Sequence, residues 1–275
     1  MAQRAGTEYL GPFVFNGIRF AIGAIWLLPF ILNKRPTLSA TGSSASQNDF
    51  RKAVITLGLI LFVAASLQQL GIAHTTAGKA GFITGLYVIL VPLLAIFVRK
   101  KTGFLTWVSA LIALSGLYFL SISDRLTLQK GDLLVLISAI FWALHVLVID
   151  SLVDKWRALS LAFWQFLICS VLSLIAGLIF ETFVWESIYK AALPILYAGL
   201  FSVGIGYTLQ VVAQKEAHPA HASIILSLEG VFAVMGGWLI LEELLSTREA
   251  MGCLLMLSGM ILSQLYFTQR PKGSQ

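Results

Sequence analysis

The 275-residue chain holds 58% hydrophobic and only 12% charged residues, about half the charge of an ordinary soluble domain, which excludes a water-soluble globular protein. Its mean hydropathy of +0.86 agrees. The formal net charge of +6 would suggest a nucleic-acid partner if the basic residues formed one patch, but they are distributed by loop.

Met1 to Leu10 is polar, with no apolar h-region, so no cleavable signal peptide is predicted there. Nine apolar stretches follow in chain order: 11–32, 53–73, 79–98, 103–121, 132–151, 159–180, 191–213, 220–241 and 249–268. Each has the ~20 residues that an α-helix needs to cross a hydrocarbon core of about 30 Å. The longest connection, 33–52, is rich in small polar residues (Ser39, Thr41, Ser43, Ser44, Ser46, Asn48) and reads as a flexible loop.

Numbering the loops by side places Lys34, Arg35, Arg51, Lys52, Arg99, Lys100, Lys101, Lys155, Arg157, Lys215, Arg270 and Lys272 on one face. Arg4, Arg125, Lys130, Lys190 and Arg248 fall on the other. Twelve against five is a positive-inside bias, so the first face is predicted to be cytoplasmic, with the C-terminus inside. A multi-pass protein of a bacterial inner membrane is expected, with the bilayer rather than nucleic acid as its partner.

The chain also repeats itself. Ser66-Leu67-Gln68 matches Thr208-Leu209-Gln210 at an offset of 142, which also places Lys79 on His221, Gly85 on Ser227 and Tyr87 on Glu229. One residue further on, Leu114-Ser115-Gly116 matches Leu257-Ser258-Gly259. The span 159–180 pairs with 11–32, so 132–151 would pair with a helix ahead of Met1. The expected fold is an all-α polytopic bundle of nine helices from a ten-helix plan of two inverted repeats. Residues 1–121 form the first repeat, with four helices, and 132–268 the second, with five. Five-helix halves have opposite orientations in the membrane, an arrangement found in carriers with a midplane site.

At the end of the second repeat, Leu239-Ile240-Leu241-Glu242-Glu243, Thr247, Gly252 and Leu257-Ser258-Gly259 resemble the EamA family of the drug/metabolite transporter superfamily. Glu229 fits the same repeat. Gly11-Pro12-Phe13, Phe15-Asn16-Gly17 and Arg19-Phe20 resemble a second helix of that family. Phe82 to Tyr87 with Pro92, then Leu114-Ser115-Gly116, resemble a fourth and a fifth. The resemblance covers essentially the whole chain. It implies a secondary carrier of small metabolites or drugs, often an exporter, that works by alternating access without a cofactor. Such members have ten helices; with nine, a non-transporting membrane partner or an inactive truncated carrier is the alternative.

Function should concentrate at polar residues inside the membrane, since a charge at helix centre costs about 2.5–3.5 kcal/mol on insertion scales. Glu229, nine residues into 220–241, is either a cavity-facing carboxylate that takes a proton or a helix–helix hydrogen bond. Lys79 can snorkel to water or bind substrate. Arg19, eight residues inside its span, would attract an anionic substrate or lock Glu229 or a carbonyl in place. Gln68, Gln210, Asn16 and Gln165 can hydrogen-bond a substrate through donor and acceptor, or join helices. Trp142, Trp164, Tyr87 and Tyr207 can line a pocket or simply pack, while Trp26, Trp185 and Trp238 suit the interfacial belt. His145, near Asp150, is a candidate for proton coupling.

Gly81-x-x-x-Gly85 would let its helix touch 220–241 or a second copy of the chain. Gly204-Ile205-Gly206 suggests a packing or bending point. Cys169 and Cys253 read as buried small hydrophobes. Enzyme readings find little support. His218-Pro219-Ala220-His221 with Glu216 lacks the H-E-x-x-H spacing of a zinc protease, and there is no G-x-x-x-x-G-K-[ST] phosphate loop. Pro219 reads instead as a helix start.

Overall fold

A computed structural model describes residues 2–32, 46–75, 77–98, 102–121, 129–228, 231–232 and 246–268. Glu229, Gly230 and Trp238 lie outside them, with half of the predicted span 220–241, most of the 33–52 loop, and Arg99, Lys100, Lys101, Arg125, Arg270 and Lys272.

The described residues are helical and contain no strand, as expected where no water is present to satisfy a free backbone group. The elements are α1 (Ala2–Thr7), α2 (Pro12–Leu32), α3 (Gln47–Ile72), α4 (Ala77–Gly85), α5 (Tyr87–Phe97), α6 (Phe104–Ser121), α7 (Lys130–Leu152) and α8 (Ala158–Phe180). There follow α9 (Trp185–Lys190), α10 (Ala192–Tyr197), a π-helical segment (Ala198–Tyr207), α11 (Thr208–Ala213), α12 (Pro219–Leu226) and α13 (Thr247–Thr268). Six helical runs among the described residues are long and apolar enough to span a membrane. They are Pro12–Leu32, Gln47–Ile72, Lys79–Phe97, Lys130–Leu152, Ala158–Phe180 and Ala192–Ala213. The apolar run of α6 is shorter, and α13 opens on a charged turn.

Two expected spans are not uniform helices. Residues 79–98 divide at Leu86, between α4 and α5, where Gly85 weakens the helix and the Leu86 N–H bonds back to the Ile83 carbonyl at 3.2 Å. Residues 191–213 pass through the π-helical segment, which contains the Gly204-Ile205-Gly206 bending point.

Local chemistry fixes the helix starts. Ser46 and Asp49 form a reciprocal capping box on α3, and Gln129 and Asp132 do the same on α7. Pro219 opens α12, with His218 as its cap. The start of α2 is satisfied from elsewhere. Both Glu181 oxygens accept its free amides, from Phe13 at 2.8 Å and Val14 at 2.9 Å. A side chain at Gly11 would strike that carboxylate at 2.2 Å, so the glycine makes room for the tie.

Helices approach closely where glycine removes a side chain. Gly17 faces Leu174 and Gly177 faces Val14, so α2 and α8 run antiparallel. Gly71 meets Gly131 and Val135 across α3 and α7. Along α6 and α13 the contact is reciprocal: Gly116 lies against Gly252 and Met256, Gly259 against Ser109 and Ala113. These are the two glycines that end the matched triplets. Of the Gly81–Gly85 motif, only Gly85 meets a described helix closely; half of the span 220–241 expected against it lies outside the described residues. Gly85 packs on Leu117 of α6, while among the described residues nothing lies within 4 Å of a side chain placed at Gly81.

Replacing Glu181 with Ala should cost about 1–2 kcal/mol, as the loss of a strong N-terminal cap does, and lower the melting temperature in detergent. An unchanged melting temperature would mean that water replaces the carboxylate without loss. Gly116→Leu and Gly259→Leu should destabilise to a similar degree, since each breaks one half of the same seam.

Candidate functional site

The largest core cluster gathers around the middle of α2, α3, α7 and α8 and the end of the π-helical segment. Phe20, Phe166 and Tyr207 form a triangle of rings with centroids 6.1–6.5 Å apart. Trp142 meets Tyr207 edge-on at 5.5 Å and His145 at 5.8 Å, separations at which edge-to-face aromatic pairs attract.

Polar groups are set into this aromatic wall. His145 Nε2 lies 2.8 Å from Gln165 Oε1, so with the amide oxygen accepting, Nε2 carries the proton and Nδ1 a lone pair. The pairing joins α7 to α8; His145 turns to Gln165 rather than to a carboxylate. His145 Nδ1, Gln165 Nε2 and the Trp142 indole N–H have no hydrogen-bond partner among the described residues. Most buried polar groups do have one.

Arg19, one turn before the middle of α2, is fully buried. Its guanidinium lies 5.0 Å from the Phe20 ring centroid and 5.7 Å from that of Phe15, a cation–π geometry. With the Gln3 amide oxygen turned toward it, that oxygen accepts from Nη1 at 2.6 Å and Nη2 at 3.2 Å. Gln69 Nε2 donates to the Gln3 carbonyl at 3.0 Å, so α1, α2 and α3 meet at this charge. Arg19 Nε and both amide atoms of the fully buried Asn16 are unpartnered among the described residues.

The other candidates lie apart from this cluster or on its edge. Tyr87, the first residue of α5, is buried in the same core. Gln68 Nε2 donates to Thr84 of α4 at 3.1 Å, which is a helix joint. Gln210 is half-buried on α11, and Lys79 is half-buried at the start of α4. Trp164 does not line the cluster: it is 39% exposed and packs edge-on with Phe163. One residue before the inward-facing Gln165, it is turned about 100° away from it around α8, onto an exposed face. Trp26 and Trp185 are exposed, as belt residues would be.

Sequence reasoning missed Gln69, Gln3 and Gln214. Gln214 is buried and donates to the Val146 carbonyl at 3.0 Å. The doubled Gln68-Gln69 carried a signal, since adjacent helical residues face about 100° apart and one of the two had to turn inward. A groove of about 380 Å³ between α2 and the π-helical segment is lined by Ile22, Ile25, Trp26, Pro29, Phe30 and Leu200. It holds none of the polar candidates, so it offers shape without chemical discrimination.

Comparison with known proteins decides the family. The sequence matches the EamA-like transporter family over residues 1–122 and again over 129–265. The chain belongs to the EamA-like transporter family. This EamA-like protein is 31% identical to an uncharacterized transporter of Archaeoglobus fulgidus, over 95% of this chain and 80% of the relative. It is 24% identical to the uncharacterized transporter YoaV of Bacillus subtilis, over 98% and 93%. Among solved structures that share its fold is a crystal structure with a TM-score of 0.79 at 18% identity, over 96% of this chain and 91% of that one. The EamA-like chain is a multi-pass membrane protein, and its relatives carry the names of transporters.

Gln165→Leu should strand the His145 N–H in the core and cost about 1–3 kcal/mol, visible as a lower melting temperature. Trp164→Ala, on the lipid side of the same helix, should leave the melting temperature nearly unchanged. Equal losses for both variants would contradict the inward and outward assignments.

Proposed function

We propose that this membrane transporter is a secondary-active carrier that moves a small metabolite or drug by alternating access, in the direction of export. The observation that carries the reading is the aromatic cluster with unpartnered polar atoms at mid-helix, built from both predicted halves of the chain. Phe20, Asn16 and Arg19 come from 1–121; Trp142, His145, Gln165, Phe166 and Tyr207 come from 132–268. A purely structural core gains nothing from unpaired polar atoms, which cost free energy when dry. A carrier gains from them, because the substrate completes them during its passage.

The antiparallel α2–α8 and α6–α13 pairs support two inverted repeats that rock against each other. The reciprocal glycine contacts of α6 and α13 follow the offset of the Leu-Ser-Gly triplets. The loop charges support a cytoplasmic C-terminus in a bacterial inner membrane. The export direction rests on the family resemblance. Glu229 remains the proposed coupling carboxylate, and His145 a second group able to hold a proton.

The test is flux into proteoliposomes, with and without a proton gradient, for a panel of amines, amino acids, nucleosides and organic acids. Wild-type protein should move at least one class. Trp142→Ala should raise half-saturation for that class about tenfold, equivalent to about 1.4 kcal/mol of lost contact. Glu229→Gln should insert normally and lose any proton-linked component. Unchanged coupled flux in that variant would remove Glu229 from the mechanism, and no flux for any class would favour a non-transporting partner.

A further inference from the structure

Arg19 is a whole charge placed where water does not reach, yet the contacts it makes are poor compensation for that burial. Its two terminal nitrogens take one neutral amide oxygen, that of Gln3, and its flanks lie over the Phe15 and Phe20 rings. The ionisable groups in its field among the described residues are Tyr207 and Cys169, neither of them a carboxylate. A buried cation in this condition is costly unless an anion joins it.

The free donor of Arg19 also has company. Asn16 stands three residues earlier on α2, on the same helical face, and is itself fully buried with its Nδ2 unpartnered. Arg19 Nε and Asn16 Nδ2 are thus two spare donors one turn apart. Beside them stands the Phe20–Phe166–Tyr207 triangle, continued by Trp142. A charge-assisted donor pair next to an aromatic wall fits a ligand with an anionic head and an apolar body.

We propose, building on the carrier reading above, that the site takes a small carboxylate with an apolar or aromatic body, its head on Arg19 and Asn16 and its body against the Phe20–Phe166–Tyr207 rings. The Trp142 and Gln165 N–H groups then discriminate at the far end of the body.

The experiment compares phenylacetate with phenylacetamide, a neutral compound of nearly the same shape, binding to the full chain in nanodiscs. Wild-type protein should bind the carboxylate about tenfold or more tightly than the amide. Arg19→Gln should erase that preference, and Arg19→Lys should keep part of it, since the charge remains without the planar fork. If Arg19→Gln fails to fold, Asn16→Ala gives the same reading, because it removes one donor and leaves the charge in place. There the preference should shrink several-fold. Equal binding of the two compounds, binding of neither, or a preference untouched in the folded variants would overturn the proposal. Equal binding is also the result expected if a carboxylate of the chain, such as Glu229, already neutralises Arg19. In any of those cases, flux of an amine or nucleoside in the proteoliposome panel would leave the carrier reading standing. A panel with no flux at all would overturn that reading as well.

Discussion

A membrane interior offers no water, so every polar group placed there must find its partner within the protein or within what the protein carries. The structure follows from that constraint. The backbone satisfies itself by coiling into helices, and helices pack in lipid by shape and dispersion rather than by hydrophobic exclusion. That is why glycine recurs along the seams at Gly17, Gly71, Gly116, Gly177 and Gly259. It is also why the polar side chains form ties between helices. Ser138 donates to the Ala64 carbonyl, Ser170 to that of Gly17, and Gln214 to that of Val146. Other buried polar atoms, such as those of Ser66, Thr102 and Ser263, also lack a partner among the described residues, but the spare atoms of Asn16, Arg19, Trp142, His145 and Gln165 are the ones set around the aromatic cluster.

Most of the described long helices were legible in the sequence to within a few residues, because length and apolarity are set by bilayer thickness and need no knowledge of packing; α3 is the exception, since its polar first turns from Gln47 lie inside the 33–52 stretch that reads as a loop. The break at Leu86 and the π-helical turns of 198–207 were less so. Gly85 and the Gly204–Gly206 pair marked where the chain can bend, but whether it does depends on the neighbours. Residue type alone also fails to give direction. Trp142 and Trp164 look alike in sequence, and only the rotation of each helix sends one inward and the other to lipid.

The cluster itself was half visible. Arg19, Asn16, Gln165 and His145 drew notice because buried polar residues are costly in a span. Their division into two groups was not visible: Gln165 faces His145, while Arg19 lies with Gln3 and Gln69. Those contacts cross between distant parts of the chain, and no local pattern encodes them. The role of Gln3 was hidden most deeply, because a polar segment before the first span has the composition of a tail.

The seam between α6 and α13 has a mechanical consequence. Gly116 and Gly259 bring backbone against backbone, with almost nothing compressible between them. A contact of that kind resists being squeezed or pulled apart, but it tolerates a small roll of one rod on the other. The core around it is a separate group of residues from the aromatic cluster. If the halves of the chain tilt, this seam is suited to be the fulcrum and the aromatic cluster to lie out along the arm. A slight rotation at the glycines then becomes a larger displacement where the ligand sits.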